Sequence, residues 1–241
     1  TILTILVTED VDLIANFILE SFTVTVAANP VEAGTVSGGG IFAEGTSVTV
    51  TATANTGYTF RNWTEGDEEV TAEAFYTFTI DDDHDFVANF TINAYEVTVA
   101  ANPAECGEVD GAGTYYYNTY ATLTATPAAH YVFVNWTDAE SGDVYGTETT
   151  LSLLVTGNVD VIANFELESF TVTVTVNPDE GGTVTGAGTY NYNTYATLTA
   201  TPAAHYNFVN WTDAETGETY GEETILTILV TEDVDLIANF I

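Results

Sequence analysis

Residues 1–18, TILTILVTEDVDLIANFI, return letter for letter as residues 224–241. Leu3, Ile5 and Val7 share one apolar face at the two-residue period of a half-buried strand. Residues 11–17 read as a second strand after an acidic turn. The stretch is therefore a β-hairpin, and residues 1–18 contain neither a Trp-bearing strand nor a Val-Thr-Val strand to pack against it. A lone hairpin is marginal in water. The offset between the two copies is 223 residues, which raises two expectations. In the first, the chain is one period of a longer polymer, and residues 1–18 are the last strands of a preceding, incomplete repeat. In the second, they insert into a separate subunit. Either way the expected partner is the chain itself, joined head to tail or continuous.

Shorter repeats fill the interval. Ala-Asn-Phe recurs at 15–17, 88–90, 163–165 and 238–240, in steps of 73, 75 and 75 that together span the 223-residue offset. Asn-Trp-Thr at 62–64, 135–137 and 210–212 keeps the same step, as does Asn-Pro at 29–30, 102–103 and 177–178. Self-similarity at a fixed period is the mark of a repeat architecture. It divides the chain into 1–18, 19–92, 93–167 and 168–241. The second and third copies agree at 31 of 36 positions between 111–146 and 186–221. A unit of about 75 residues buries only about two-thirds of its unfolded surface, so contacts with neighbours are expected to add stability.

In the first full copy, Phe22, Val24 and Val26 alternate with Thr23 and Thr25 up to the break at Asn29-Pro30. Short strands follow at 34–36 and 41–42, then Val48, Val50 and Ala52 alternate with Thr49 and Thr51. An aromatic strand at 58–63 leads through an acidic hairpin or loop at 65–69 to two last strands. These point Tyr76, Phe78, Ile80 and then Phe86, Ala88, Phe90 inward. No segment has a helical apolar period, and strands broken by Gly, Pro, Asn and Asp predict an all-β domain. Trp63, Trp136 and Trp211 are the expected core anchors.

Composition removes several function classes. Arg61 is the one basic residue against 36 acidic ones, for a net charge of −35. Phosphate binding requires Lys and Arg, so nucleic acid is not an expected partner. An anionic membrane surface is disfavoured for the same reason, and no apolar run is long enough for a spanning helix. With 46% hydrophobic residues in orderly alternation, the chain is folded and strongly self-repelling. Calcium or high salt is expected to stabilise it. Cys106 has no partner within the chain and reads as a free loop thiol.

The copies share Phe-Thr-Val-Thr-Val, Asn-Pro, Gly-Gly-Thr-Val, Gly-x-Gly-Thr-Tyr, Ala-Thr-Leu-Thr-Ala-Thr-Pro, Tyr-x-Phe-x-Asn-Trp-Thr and Val-x-x-Ile-Ala-Asn-Phe in order, with local variation. This pattern resembles the divergent internalin B-type repeats of bacterial surface proteins and covers nearly the whole chain. The resemblance implies tandem domains of large secreted or wall-attached proteins, acting as stalks or spacers without catalytic residues. Relatives with a β-grasp fold carry a helix. The expected architecture is therefore a tandem array of small β-domains, either sandwich-like or helix-less β-grasp-like.

Among chemical constellations, the acidic turn Asp81, Asp82, Asp83 and Asp85 is the candidate calcium site, because calcium takes six to eight oxygens. A solvated turn explains it equally well. No cofactor is required. His130 and His205 stand in Pro-Ala-Ala-His-Tyr loops without a second ligand at zinc spacing. No nucleophile motif appears, and no carboxylate pair is set apart for acid–base work, so no enzyme is expected. Tyr115, Tyr117, Tyr190 and Tyr192 could stack on sugar rings, which makes a glycan-binding adhesin the alternative function; the plainer expectation is that they cover a sheet or the next domain. Asn62, Asn89, Asn135 and Asn210 stand in formal glycosylation sequons, best read as coincidence of the repeat pattern. Leu3, Ile5, Val7, Ile225 and Leu229 are the apolar candidates for an assembly contact. The expected location is extracellular or at the cell surface.

Overall fold

A computed structural model describes residues 2–241, which divide into two compact units. One runs up to Tyr95 and includes Tyr116–Asn118; the other is Glu96–Tyr115 with Thr119–Ile241.

The first unit contains one complete repeat. Its strands are β1 (Ser21–Asn29), β2 (Gly34–Ser37), β3 (Gly40–Ala43) and β4 (Ser47–Ala54), then β5 (Tyr58–Glu65), β6 (Glu68–Thr71), β7 (Phe75–Thr79) and β8 (His84–Ile92). They form a five-stranded sheet in the order β3-β1-β8-β5-β6 and a three-stranded sheet in the order β2-β4-β7. Alternation dictates the core between them. On β4, Val48, Val50 and Ala52 are buried while the intervening threonines face out. Val24, Trp63, Phe86, Ala88 and Phe90 meet them from the larger sheet. The two-layer sandwich is the arrangement realised. Between β1 and β2 the chain makes a single 3-10 turn at Val31–Ala33.

The aromatic strand breaks strict alternation, since Phe60 and Trp63 are three residues apart yet both face inward. The cause is a register shift in the β5–β8 ladder between Phe60 and Asn62, which leaves Arg61 as an extra residue. A bulge of this kind turns the strand and re-aims the next side chain. Trp63 is fully buried, with its ring 6.2 Å from that of Phe60. The same shift falls at Phe133/Asn135 and Phe208/Asn210.

The first and last strands of the repeat are neighbours, and they run parallel from Val24↔His84 to Asn29↔Asn89. Every other pairing in the repeat is antiparallel. The chain therefore enters the sheet at one end of β1 and leaves it at the opposite end of β8. Strands of nine residues advance the chain by about 30 Å per repeat.

The second unit repeats this plan twice. The second repeat has β9 (Ala94–Asn102), β10 (Gly107–Asp110), β11 (Gly113–Tyr116) and β12 (Thr119–Pro127), then β13 (Tyr131–Asp138), β14 (Val144–Gly146), β15 (Thr150–Val155) and β16 (Val159–Leu167). The third has β17 (Ser169–Asn177), β18 (Gly182–Thr185), β19 (Gly188–Asn191) and β20 (Thr194–Pro202), then β21 (Phe208–Asp213), β22 (Thr219–Gly221), β23 (Ile225–Val230) and β24 (Val234–Phe240). Sheet orders match the first repeat, and the parallel pairs are β9 with β16 and β17 with β24.

One expectation is corrected. Residues 3–7 and 11–17 were expected as strands, yet none of residues 2–20 lies in one. In the third repeat the identical residues are held by β17, β20 and β21; residues 2–20 have no such partners. Cys106 is a free thiol in the loop between β9 and β10, as expected, and is 1% exposed. It fills the small-residue slot that Ala33 occupies in the first repeat and Gly181 in the third.

Candidate functional site

The three asparagine motifs of the sequence meet on the outer face of the larger sheet. In the first repeat, Asn29 of β1 donates its amide to Asn89 Oδ1 of β8 at 3.1 Å. Asn89 in turn donates to Asn62 Oδ1 at 3.0 Å and to Thr64 Oγ1 at 3.1 Å, both on β5. The ladder recurs as Asn102–Asn164–Asn135 and Asn177–Asn239–Asn210. Such a chain of amides satisfies its members mutually and fixes the register of three strands. It contains no nucleophile and no proton donor of catalytic strength. Asn62, a sequon position, is 7% exposed and its amide donates to Glu69 Oε2 at 2.6 Å, so that nitrogen is already engaged. The ladder was missed from sequence, although Asn-Pro, Asn-Trp-Thr and Ala-Asn-Phe all kept one spacing.

Of the calcium candidates, Asp81, Asp82 and Asp83 stand on the turn between β7 and β8, and Asp85 is the second residue of β8. Their carboxylates go to different partners. Asp83 Oδ1 accepts the Thr23 N–H at 2.6 Å, Asp85 accepts the Thr25 hydroxyl, and Asp82 caps the Asp83 N–H at 2.8 Å. Asp81 lies 3.4 Å from His84 Nε2. Asp233 and Asp235 repeat the first two contacts with Thr171 and Thr173. Among the described residues, no three His, Cys, Asp or Glu side chains converge as a metal-binding group. The turn acts as a clip between the first and last strands of the repeat.

The hairpin loops after β13 and β21 hold the most perturbed carboxylates. Asp138 is held down to about 2, chiefly by the Ser141 backbone N–H at 2.7 Å and then by the Tyr145 hydroxyl at 2.6 Å. Burial, and then Asp138 itself, push Tyr145 up to about 12. Asp213 is lowered by the Thr216 backbone N–H and hydroxyl. Donors from the same loop explain these shifts, as in an ordinary Asx turn.

The tyrosines are engaged in packing. Tyr115 and Tyr190 send their hydroxyls to the carbonyls of Gly111 and Gly186 at 2.8 and 2.5 Å. Within the first unit, the Tyr117 ring covers Gly57 so closely that a Cβ there would overlap it. The Tyr117 N–H donates to the Asn93 carbonyl at 2.8 Å, and the Asn93 N–H to that of Gly57 at 2.8 Å. Within the second unit, Tyr192 stacks flat on His130, with centroids 3.6 Å apart and planes at 10°. Its N–H donates to the Glu168 carbonyl and the Glu168 N–H to that of His130, each at 2.8 Å. His130 and His205 take positive φ, at 65° and 72°, at the position where the first repeat has Gly57 at 84°. This left-handed corner suits glycine and is otherwise uncommon. The His130 ring is a seat for Tyr192, with Glu168 Oε2 3.3 Å from its Nδ1.

The assembly candidates are all exposed. Ile225 and Leu229 are 59% and 43% exposed on the outer face of the small sheet, as alternation required. Leu3, Ile5 and Val7 are 70%, 41% and 68% exposed. No helix among the described residues is long and apolar enough to cross a membrane.

Comparison with known proteins agrees with this repeated plan. No curated protein matches the chain. Among solved structures, the chain is similar to the Bacillus anthracis TIE protein, at 11% identity and a TM-score of 0.38. That match covers 91% of this chain and 50% of the other, so the chain spans about half the length of that structure. It is also similar to an I-band fragment of titin, I67–I69, at 8% identity over 92% of this chain and 96% of that one, with a TM-score of 0.14. The model of the divergent InlB B-repeat domain matches residues 24–94, 97–169 and 172–241, one match to each sandwich. The chain belongs to the divergent InlB B-repeat family, a family of tandem domains of bacterial surface-type proteins.

Proposed function

We propose that the chain is a non-enzymatic structural segment of an extracellular stalk or filament. The observation that carries this reading is the parallel pairing of the first and last strands in every repeat. Entry and exit at opposite ends make each sandwich a step of about 30 Å along the strand direction. In the second unit the step is also stiff. Glu168 alone separates β16 from β17, and both its backbone groups are bonded, to His130 and Tyr192. One residue brings only two soft dihedrals, and here both flanks are pinned. The net charge of −35 adds repulsion that salt screens over about 8 Å under physiological conditions. The packing of Tyr115, Tyr117, Tyr190 and Tyr192 within the chain weighs against a glycan platform.

Small-angle scattering of the whole chain tests the reading. The expected result is a rod whose maximum dimension changes little between low and high salt. A globule, or a rod that collapses once charge is screened, would overturn it.

A further inference from the structure

β15 is the outermost strand of the second repeat's small sheet, whose order is β10-β12-β15. Among the described residues its one ladder partner is β12. The Ala125 N–H donates to the Thr149 carbonyl at 2.8 Å, which fixes the phase of that ladder. Hydrogen-bonded pairs in an antiparallel ladder come at every second residue. Leu151, Leu153 and Val155 therefore turn their backbone groups toward β12. The N–H and C=O groups of Thr150, Ser152 and Leu154 line the open edge, and all three residues are exposed. Folded proteins guard such an edge with short strands, Lys, Pro, bulges or a covering element. β15 reads TLSLLV, six residues without a charge, Gly or Pro, and its ladder has no register shift. An uncharged β-forming segment of this length is what pairs between chains. In the chain, a complete repeat precedes this one and another follows it.

We propose that β15 pairs edge to edge, antiparallel, with β15 of a second copy of the chain, joining two three-stranded sheets into one continuous sheet. The occupant follows from self-complementarity. A two-fold axis through Ser152 sets Ser152 opposite itself, Thr150 opposite Leu154 and Leu151 opposite Leu153. Each N–H on the open edge then meets a carbonyl of the copy, and every cross-strand pair is hydroxyl or apolar. Glu148, the acid nearest the strand, falls opposite Thr156, so no carboxylates are aligned beside it. The third repeat's edge strand β23 reads ILTILV and is also complementary to itself. There, however, the same operation through Thr227 sets Glu222 opposite Glu232, which makes β15 the preferred edge. The guard that β15 lacks locally is supplied by the whole chain. Copies carrying −35 each repel over about 30 Å at 0.01 M salt but only about 3 Å at 1 M. Lateral pairing is thus held off at low ionic strength and released by salt.

The inference goes beyond the stalk reading and is tested by mass, not by length. Light scattering gives the molar mass of the whole chain over a range of concentrations at about 0.01 M and about 1 M sodium chloride. The wild type is expected to be monomeric at low salt and to form a dimer that grows with concentration at high salt. Ser152→Pro removes an N–H that no ladder bond uses, so it should keep the wild-type tryptophan fluorescence yet stay monomeric at both salts. Thr124→Lys, on the central strand β12 of the same face, should dimerise as the wild type does. At the lowest salt at which the wild type dimerises, Ser152→Lys and Ser152→Asp should each be monomeric and should dimerise when mixed, because the axis sets position 152 against itself. That pair decides the matter if the proline variant does not fold. Four results would each overturn the proposal: a wild type that stays monomeric at high salt, a folded Ser152→Pro that dimerises like it, loss of the dimer in Thr124→Lys, or no gain on mixing the charge variants. The length of the monomer, measured at dilutions where no dimer forms, tests the stalk reading separately.

Discussion

Residues 2–18 and 225–241 have one sequence and two structures. Leu13 is 63% exposed and Leu236 is 1% exposed; Phe17 is 91% exposed and Phe240 is 6%. β-propensity is the same in both copies, and so is the alternation. What differs is company: β17, β20 and β21 surround one copy and nothing equivalent surrounds the other. A strand in this protein is a property of the pair more than of the letters, as expected when β-preference measures packing on neighbours. The comparison supplies its own controls, because each residue of the folded hairpin has a twin in an unpaired setting.

The largest expected effect is at Leu236. Leu236→Ala leaves a cavity in the core cluster that also holds Trp211 and should cost about 2–5 kcal/mol in the third repeat. Leu13→Ala should change stability by less than about 0.5 kcal/mol. Urea unfolding of dilute chain, followed by tryptophan fluorescence, measures both. Equal costs would break the comparison, since the N-terminal copy would then be folded too.

Next comes the amide ladder. Asn239 donates to Asn210 and Thr212 at 2.9 and 3.0 Å and accepts from Asn177 at 3.0 Å. Asn239→Ala strands Asn210 and Thr212 at half-buried sites and Asn177 at an exposed one, a cost of about 1–3 kcal/mol. Asn16→Ala should cost nothing measurable. An Asn239→Ala variant as stable as the wild type would reduce the ladder to decoration.

That ladder marks the limit of what was legible. Hydrophobic alternation announced the strands, and the inward phases of Val48, Val50, Phe86 and Phe90 were read correctly, because burial on one face has a period of two. Trp63 was placed in the core from its size, though period two from Phe60 would have pointed it outward; the bulge at Arg61 resolves this. The spacing Phe-x-x-Trp carried that signal. The parallel pairing of β1 with β8 was invisible, since its partners are 60 residues apart and alternation says nothing of direction. The same distance hid the ladder and the Thr–Asp clips. The tyrosines show the opposite case: sequence found them but could not tell a ring awaiting a sugar from one resting on His130.

The smallest expected effect sharpens the comparison at a single position. Val234 of the folded hairpin and its unpaired twin Val11 correspond to Val159 in the second repeat and His84 in the first. Only the first repeat has a titratable group there. The His84 ring stacks on Phe86 at 5.3 Å and meets Phe78 edge-on at 5.0 Å. Its Nδ1 is 2.9 Å from Glu65 Oε1, and Asp81 stands by Nε2. Burial disfavours the imidazolium, but Glu65 and then Asp81 outweigh it and raise the pKa above 6.5. A group raised on folding stabilises the fold fully below its unfolded pKa, and that contribution is lost as pH rises through the folded value. The first repeat should therefore lose stability as pH rises above about 6.5, the ordinary histidine value. His84→Val makes the position match Val234 and should remove this dependence, while slopes from carboxylates elsewhere are common to both proteins and subtract. Thermal melts of the two proteins between pH 5 and 8 give the difference curve. A downward slope with rising pH is the expected outcome; a flat one would mean that the histidine holds its place by packing alone, as the valines do.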